Sequence, residues 1–286
     1  LHKRRECNLL VRCESRSHFD VNKLSPEMSP KLYLSIRDKE TNKTYLFMEK
    51  MPLALDAETI YSYQFSFFHL AFNTLSAVLE LDKQGRVHHD IKPQNFMLRS
   101  SSKICITDFG LSTKMSEYME SKDINKFGGT TYYCIHKDLP KHIKDSLKSR
   151  KDLIGVGYTL LKMFFDGKQL LLTKGKETII SEQEFVILRG KIKDFQILQQ
   201  KRPLFDFFTK EDVLLHLVTD YYKDKLSDSE INKLFFCYKI VTGEFSSASD
   251  AIEYLKDYNN HLYYWGLHYR WFPLSHGDLQ TQTYMR

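Results

Sequence analysis

Glycine is scarce in this chain, and it is missing from the first part altogether. The 286 residues include 12 glycines, and none precedes Gly85. Glycine lets a backbone approach phosphate groups closely, which is why phosphate-binding loops are rich in it. Residues 1–84 therefore contain no glycine-rich phosphate loop, and at first sight this absence argues against a nucleotide-dependent enzyme.

Paired cysteines and zinc-ligand spacings are also absent. The chain has an odd number of scattered cysteines, with no C-x-x-C motif: Cys7, Cys13, Cys105, Cys134 and Cys237. This distribution favours free thiols in a reducing compartment. No secretory signal is visible at the start. We expect a cytoplasmic protein, or one in a host cytosol if the chain is a pathogen's effector.

The sequence lacks a membrane-spanning segment and a nucleic-acid-binding stripe. Residues 59–79 carry no Asp, Glu, Lys or Arg, but eight of them are Ser, Thr, Gln, Asn or His. A segment with so many polar groups is too costly to place in lipid. The net charge is +6, of which +4 lies in residues 1–52, and no recognised module accompanies it. We expect no membrane span and no nucleic-acid partner.

The order of elements predicts an α+β fold with little sheet and many helices. Alternation predicts a hairpin from strands at 31–37 and 44–48, and a further strand at 103–107. Helices are predicted at 3–14, 58–82, 152–165, 181–200, 210–223, 227–242 and 247–257. A domain boundary is expected near Met51 and Pro52, which gives domains 1–51 and 52–286.

The helix predicted at 58–82 is apolar on two faces, which is typical of a helix buried in the core of a large domain. One face follows helical spacing through Phe65, Phe68, Phe72, Leu75 and Leu79. A neighbouring face carries Tyr63, Phe67, Leu70 and Val78.

Two short clusters carry chemistry. The first is 87–95 (VHHDIKPQN), in which Asp90, Lys92 and Asn95 stand at positions n, n+2 and n+5. The second is 107–110 (TDFG), with Asp108 on a turn after a predicted strand. Phosphoryl transfer needs a carboxylate to orient a hydroxyl, oxygen ligands for Mg²⁺, and a cation for the transferred phosphate. These two clusters supply all three.

With these motifs the chain resembles the eukaryotic-like protein kinase family. HHDIKPQN stands where that family has H-R-D-L-K-P-x-N, and the D-F-G motif is intact. Residues 129–133 (GTTYY) are similar to the G-T-x-x-Y segment, and 152–157 (DLIGVG) to the D-x-W-S-x-G start of the central helix. The similarity covers roughly residues 3–165.

The resemblance implies a bilobal fold, with a partial N-lobe (helix C plus a β-hairpin) and a mainly helical C-lobe. It implies that ATP and Mg²⁺ are the cofactors and that a protein is the substrate, with a regulatory partner as a further expectation. Asp90 would be the catalytic base and Lys92 would neutralise the γ-phosphate. Asn95 and Asp108 would hold Mg²⁺. A lysine at position 92 is the Ser/Thr-kinase choice.

The same resemblance assigns residues of the nucleotide pocket. Residues 47–51 (FMEKM) are similar to the end of strand five and the hinge, with Met48 as gatekeeper. The backbone from Glu49 to Met51 would meet adenine. Glu6 would take the helix C role, with Glu14 as its rival.

The chain departs from the family in three places. His89 replaces the arginine of H-R-D, and residues 135–137 (IHK) stand in place of A-P-E. Phe245 stands where the arginine partner of that missing glutamate is expected. The glycine loop and the strand-three lysine are not found before Glu6, and Lys3 cannot serve because it lies on the same predicted helix.

Several alternatives remain open at the level of sequence. Asp90 and Asp108 could be ordinary turn or capping residues. His88, His89 and Asp90 could bind a metal. Cys105 could be a buried core residue or a reactive thiol. The chain could be a pseudokinase or binding scaffold, or a kinase that acts on a small molecule.

We predict that activity does not require phosphorylation of the segment that follows the D-F-G motif. The arginine of H-R-D normally binds that phosphate, and a neutral imidazole neutralises it poorly near pH 7. Mass spectrometry before and after phosphatase treatment should show activity that is independent of loop phosphate. A stoichiometric loop phosphate whose removal abolishes activity would contradict the prediction.

Overall fold

The computed structural model describes residues 27–41, 44–55, 66–100, 103–121, 127–172, 182–201 and 225–264. The strands are β1 Leu32–Arg37, β2 Thr44–Met48, β3 Leu53–Ala54, β4 Arg86–Val87, β5 Phe96–Ser100, β6 Lys103–Ile106 and β7 Thr113–Lys114. The helices are α1 Phe67–Lys83, α2 Met115–Glu120, α3 Lys141–Leu147, α4 Lys151–Leu172, α5 Glu182–Lys201, α6 Asp228–Thr242 and α7 Ala248–Tyr264. The protein is α+β, as the sequence predicts.

The strands form three small antiparallel sheets. β1 pairs with β2, which confirms the predicted hairpin. The other two sheets are β3–β5–β6 and β4–β7. The prediction of a strand at 103–107 is confirmed by β6, but β3, β4, β5 and β7 were not predicted. Three of these four have two residues each, which is too short for any alternation to show.

Helix α1 begins later than the sequence predicts. Ser66 has extended backbone angles (φ −70°, ψ 150°), and its side chain accepts a hydrogen bond from the backbone N–H of His69. This is the geometry of an N-cap, so the helix begins at Phe67 and the prediction of one continuous helix over 58–82 is wrong. Residues 56–65 lie outside the described residues.

Of the two predicted apolar faces of α1, the second is buried and the first is buried in part, with Leu75 at 0% exposed. Phe67, Leu70 and Val78 are at most 3% exposed, whereas Phe68 and Phe72 are only partly buried against the core. Helices α4 and α7 pack against α1. Contacts with two helices bury more than one stripe, which is why both faces are apolar.

Helix α4 is the centre of the fold, and two glycines let its neighbours come close. A Cβ on Gly155 would lie 2.7 Å from Cβ of Ile91, in the loop between β4 and β5. A Cβ on Gly157 would lie 2.6 Å from Cγ1 of Val241 on α6. The glycines therefore allow α4 to pack directly against that loop and against α6.

Most other helix predictions are confirmed with shifted ends. The helices predicted at 181–200, 227–242 and 247–257 correspond to α5, α6 and α7, and α4 extends the one predicted at 152–165. The predicted helices at 3–14 and 210–223 lie outside the described residues. So does the aromatic stretch from Trp265 onward.

Of the two alternatives for Cys105, a buried core residue or a reactive thiol, the structure favours the core residue. Its side chain is fully buried, and burial raises the pKa of the thiol to about 11. A thiol of that kind stays protonated at neutral pH and reacts slowly. In the described part of the chain, every helix is too short or too polar to cross a membrane.

We predict that Gly155→Ala destabilises the protein by about 1–3 kcal/mol, because the added methyl overpacks the contact with Ile91. Gly190→Ala is the matched control. Gly190 lies in α5, and a Cβ there would meet no atom within 4 Å. Since alanine favours helix by up to about 1 kcal/mol over glycine, the control should be neutral or stabilising. Urea unfolding of both variants tests this, and equal midpoints would contradict it.

Candidate active site

The loop between β4 and β5 is held by a buried carboxylate from α4. Asp152 accepts hydrogen bonds from the backbone N–H groups of His88, at 2.5 Å, and of His89, at 3.0 Å. Burial raises the pKa of Asp152, whereas the His88 ring and these two hydrogen bonds favour its ionised form. The two amide donors orient the start of the loop that carries Asp90.

The backbone at His89 is left-handed, with φ of 72°. This conformation costs roughly 1–2 kcal/mol for a residue that has a Cβ. His89 is 1% exposed, and its ring stacks on Phe127 with centroids 5.0 Å apart. The surrounding contacts therefore hold a backbone turn that the loop would not adopt on its own.

The two histidines contact different partners, which argues against a shared metal. Nε2 of His88 lies 2.9 Å from the carbonyl of Thr107, and Nε2 of His89 lies 2.7 Å from Oγ1 of Thr113. Burial and the positive charge of Lys151 lower the pKa of His89 to about 3, and burial lowers that of His88. Within the described residues no group of three or more His, Cys, Asp or Glu side chains could hold a metal ion.

Asp90 is the centre of a compact polar network. Its Oδ2 lies 2.7 Å from Nζ of Lys92, and its Oδ1 accepts 2.7 Å hydrogen bonds from both the backbone N–H and Oγ1 of Thr130. Nδ2 of Asn95 donates to the backbone carbonyl of Asp90 at 2.7 Å and to its Oδ2 at 3.1 Å. The structure thus brings together three residues predicted from sequence and adds Thr130.

The network favours the ionised form of Asp90. Burial is the largest single influence and opposes ionisation, but hydrogen bonds from Lys92 and Thr130 outweigh it and lower the pKa. A carboxylate that accepts several hydrogen bonds is stabilised in its charged form. Asp90 is therefore an anion at neutral pH, beside a lysine that offsets its charge.

Thr130 reaches Asp90 because Gly129 makes a tight turn. Gly129 has φ of +107°, and a Cβ there would lie 2.3 Å from the carbonyl oxygen of His89. Any other residue would clash with the backbone of the loop. The sequence signal for Thr130 is the G-T pair in residues 129–133. This pair indicates the family segment, but it does not by itself predict a contact with Asp90.

Asp108 follows β6, next to the end of the loop. The backbone N–H of Thr107 donates to the carbonyl of Asn95 at 2.8 Å, so Asn95, just before β5, lies near Asp108, just after β6. Asp108 has left-handed backbone angles (φ 64°, ψ 61°), and a Cβ on Gly110 would lie 3.4 Å from its Oδ1. Two oxygen-bearing side chains therefore flank one edge of the β5–β6 pair.

The residues predicted for the hinge lie at and after the end of β2. The backbone N–H of Glu49 donates to the carbonyl of Lys31 at 2.7 Å. Oε2 of Glu49 lies 2.9 Å from Nη2 of Arg99 on β5, the strand that begins directly after Asn95. Met48 closes β2 and Met51 is partly buried, while Glu6 lies outside the described residues.

A buried arginine under the segment after Thr130 was not predicted. Arg189 on α5 donates to the carbonyl of Cys134 at 2.8 Å and lies over the ring of Tyr158. Phe245, expected to replace a family arginine, packs with Phe236 at 5.8 Å between ring centroids. Residues 135–137 (IHK) carry no acidic side chain. The segment after Thr130 is held instead by the hydrogen bond from Arg189 to Cys134.

Comparisons with known proteins found similarity to protein kinases. The family model described as a protein kinase domain matches residues 31–211. Serine/threonine-protein kinase ppk35 of Schizosaccharomyces pombe is 34% identical over 115 residues, which are 38% of this chain and 18% of that protein. Serine/threonine-protein kinase AtPK1/AtPK6 of Arabidopsis thaliana is 30% identical over 128 residues, 44% of this chain and 25% of that protein.

A bacterial relative matches a larger number of residues of the chain. Serine/threonine-protein kinase PrkC of Bacillus subtilis is 23% identical over 173 residues, which are 54% of this chain and 25% of that protein. The chain spans a quarter or less of the length of each of these relatives. Because the family model covers more than half of the chain and includes the loop around Asp90, the chain belongs to the eukaryotic-like protein kinase family.

Proposed function

We propose that this chain transfers the γ-phosphoryl group of ATP to serine or threonine hydroxyls of a protein substrate. Asp90 is the base, Lys92 offsets charge on the transferred group, and Asn95 with Asp108 holds Mg²⁺. The domains are a partial N-lobe and hinge over 1–51 and a C-lobe over 52–286. The pairing of β3 with β5 supports this boundary, since β3 directly follows Pro52 and joins the sheet of the second part.

The observation that carries the proposal is the contact between Asp90 and a threonine hydroxyl. Oγ1 of Thr130 lies 2.7 Å from Oδ1 of Asp90, the distance of a strong O–H···O⁻ hydrogen bond. A general base must reach the proton that it accepts at such a distance. An acceptor hydroxyl that binds Asp90 in this way is oriented for attack and can pass its proton to the carboxylate.

Lys92 contacts both members of the hydrogen bond between Asp90 and Thr130. Its Nζ lies 2.7 Å from Oδ2 of Asp90 and 2.9 Å from Oγ1 of Thr130. An ammonium at this point keeps Asp90 ionised in the resting state. Negative charge that develops on the transferred group beside it would be stabilised by the same cation.

The donors of Asn95 and Asp108 suit Mg²⁺ in kind. Mg²⁺ prefers oxygen ligands and is commonly held by one or two protein oxygens plus phosphates and water. The backbone hydrogen bond between Thr107 and Asn95 keeps the two residues together at one end of the β5–β6 pair. Asn95 and Asp108 would hold the ion, which would supply positive charge to neutralise the phosphate groups. The amide of Asn95 also fixes Asp90, so one side chain serves both parts of the site.

The contacts of Glu49 support the proposal that adenine binds at the hinge. Glu49 uses its backbone N–H to bind Lys31 and its carboxylate to bind Arg99. Strand β5 connects Arg99 to Asn95, a separation of about 13 Å at 3.3 Å per residue. Adenine at the backbone of 49–51 and phosphates near Asn95 would therefore lie at opposite ends of one strand. Protein substrates and regulatory partners are the partners that this proposal implies.

We predict that Asp90→Asn and Asp108→Asn each lower kcat for phosphorylation of a Ser/Thr protein substrate by about 10²–10⁴-fold. Asparagine keeps the shape of both side chains and tolerates the left-handed backbone at position 108, so these variants should fold. The measurement is phosphate transfer from ATP to a generic protein substrate, with free ADP release measured in parallel.

Asp145→Asn is the matched control, because Asp145 is an exposed aspartate on α3. Equal turnover in the wild type, both site variants and the control would rule out the mechanism. Tight ATP binding without turnover in the wild type would favour a binding scaffold. ATP turnover that needs a small hydroxyl compound and ignores proteins would favour a small-molecule kinase.

A further inference from the structure

Two lysines next to the catalytic loop are buried in an unusual way. Lys148 and Lys151 are 7% and 6% exposed, although lysine is almost never buried unless it is paired. Within the described residues, no carboxylate lies at ion-pair distance from either ammonium group. Burying a charge without a counter-ion costs several kcal/mol unless fixed dipoles replace water. The contacts of these two lysines therefore have to be specific.

Lys151 connects three parts of the site. Its Nζ lies 3.0 Å from Nδ1 of His89 and donates to the carbonyl of Gly128 at 3.2 Å. An ammonium can only donate, so Nδ1 accepts and the proton of the neutral imidazole is on Nε2. Nε2 then donates to Oγ1 of Thr113. The ammonium thus joins the loop that carries His89 to the residues just before Thr130, and the His89 ring extends this connection to β7.

Lys148 binds the chain nearer to the D-F-G motif, at the end of α2. Its Nζ donates to the carbonyls of Met119, at 2.8 Å, and Ser121, at 2.6 Å, which lie at the end of α2. These carbonyls lack partners within the helix and attract a cation. Lys148 therefore caps α2 from the short turn that precedes the central helix.

An aromatic ring lies against both cations. Tyr118 on α2 is fully buried, with Nζ of Lys148 5.3 Å and Nζ of Lys151 5.6 Å from its ring centroid. At these distances a cation is attracted by the electrons of the ring, and more strongly in a site without water. His89 packs edge-on against the same ring, with centroids 4.8 Å apart.

We propose that Lys148 and Lys151, here called the lysine clamp, are positioning residues that fix residues 113–121 and 127–130 in the unmodified chain. Backbone carbonyls and an aromatic ring take the place of an added phosphate as the partners of the cations. The clamp acts through His89 and Gly128, and so sets where Thr130 and Asp90 meet. This inference rests on the proposed function for its catalytic consequence, and on the contacts above for its structural one.

The test compares Lys148→Met/Lys151→Met with Lys148→Arg/Lys151→Arg in phosphatase-treated protein. Methionine keeps most of the apolar stem but removes the charge and the donors, whereas arginine keeps both. Lys141→Met is the matched control, since Lys141 is an exposed lysine on α3. The readouts are hydrogen exchange by peptide, kcat and KM for ATP.

In the double methionine variant we expect exchange to rise at least tenfold in residues 113–121 and 127–133 and to stay unchanged in 153–165. We expect kcat to fall at least tenfold with KM for ATP within twofold. The arginine variant should retain most of both properties, and the control all of them. A clamp that only stabilised the fold would instead raise exchange in 153–165 as well.

Three results would overturn the clamp: unchanged exchange in the segment, a uniform rise across the chain, or a loosened segment with wild-type kcat. Failure of the proposed function is seen separately, as a wild type without phosphoryl transfer. In that event the exchange comparison still decides whether the two lysines order the segment.

Discussion

The site depends on one buried carboxylate. Asp152 accepts the backbone N–H groups of His88 and His89, and so connects the first turn of the central helix to the loop that carries Asp90. Charge-assisted hydrogen bonds to a buried carboxylate are strong, and losing such a partner leaves donors unsatisfied in a dry environment. The close contact of Gly155 with Ile91 brings helix and loop near enough for these bonds to form.

Around this anchor, Asp90, the base of the proposed function, is held by more than one neighbour. Asp90 contacts Lys92, Asn95 and Thr130, and these contacts come from its own loop and from the segment after D-F-G. Preorganised groups of this kind need little rearrangement during reaction. The left-handed turn at His89 is one place where strain is stored, and the packing of Phe127 and Tyr118 offsets it.

The sequence predicted those parts of the protein that depend on local order. The hairpin β1–β2, most long helices and the cluster Asp90–Lys92–Asn95 follow from spacing along a short stretch of chain. It did not predict the start of α1 at Phe67, because a serine N-cap is a single polar residue within an apolar run. It also missed Asp152 and Lys151 as site residues, since the loop residues that they contact lie more than 60 positions away.

The arrangement of β5 has a consequence for how the two ends of the site are spaced. Asn95 and Arg99 are four residues apart, and Arg99 binds Glu49 beside the hinge. The pairing of β5 with β6 shifts register between Leu98 and Ser100, so the position of Arg99 depends on this irregularity as well as on the alternation of side chains. Adding or removing one residue between Asn95 and Arg99 would change the face on which Arg99 lies. Strand β5 therefore sets the spacing between Asn95 and the hinge, so a point substitution in this strand is tolerated more easily than the insertion or deletion of one residue.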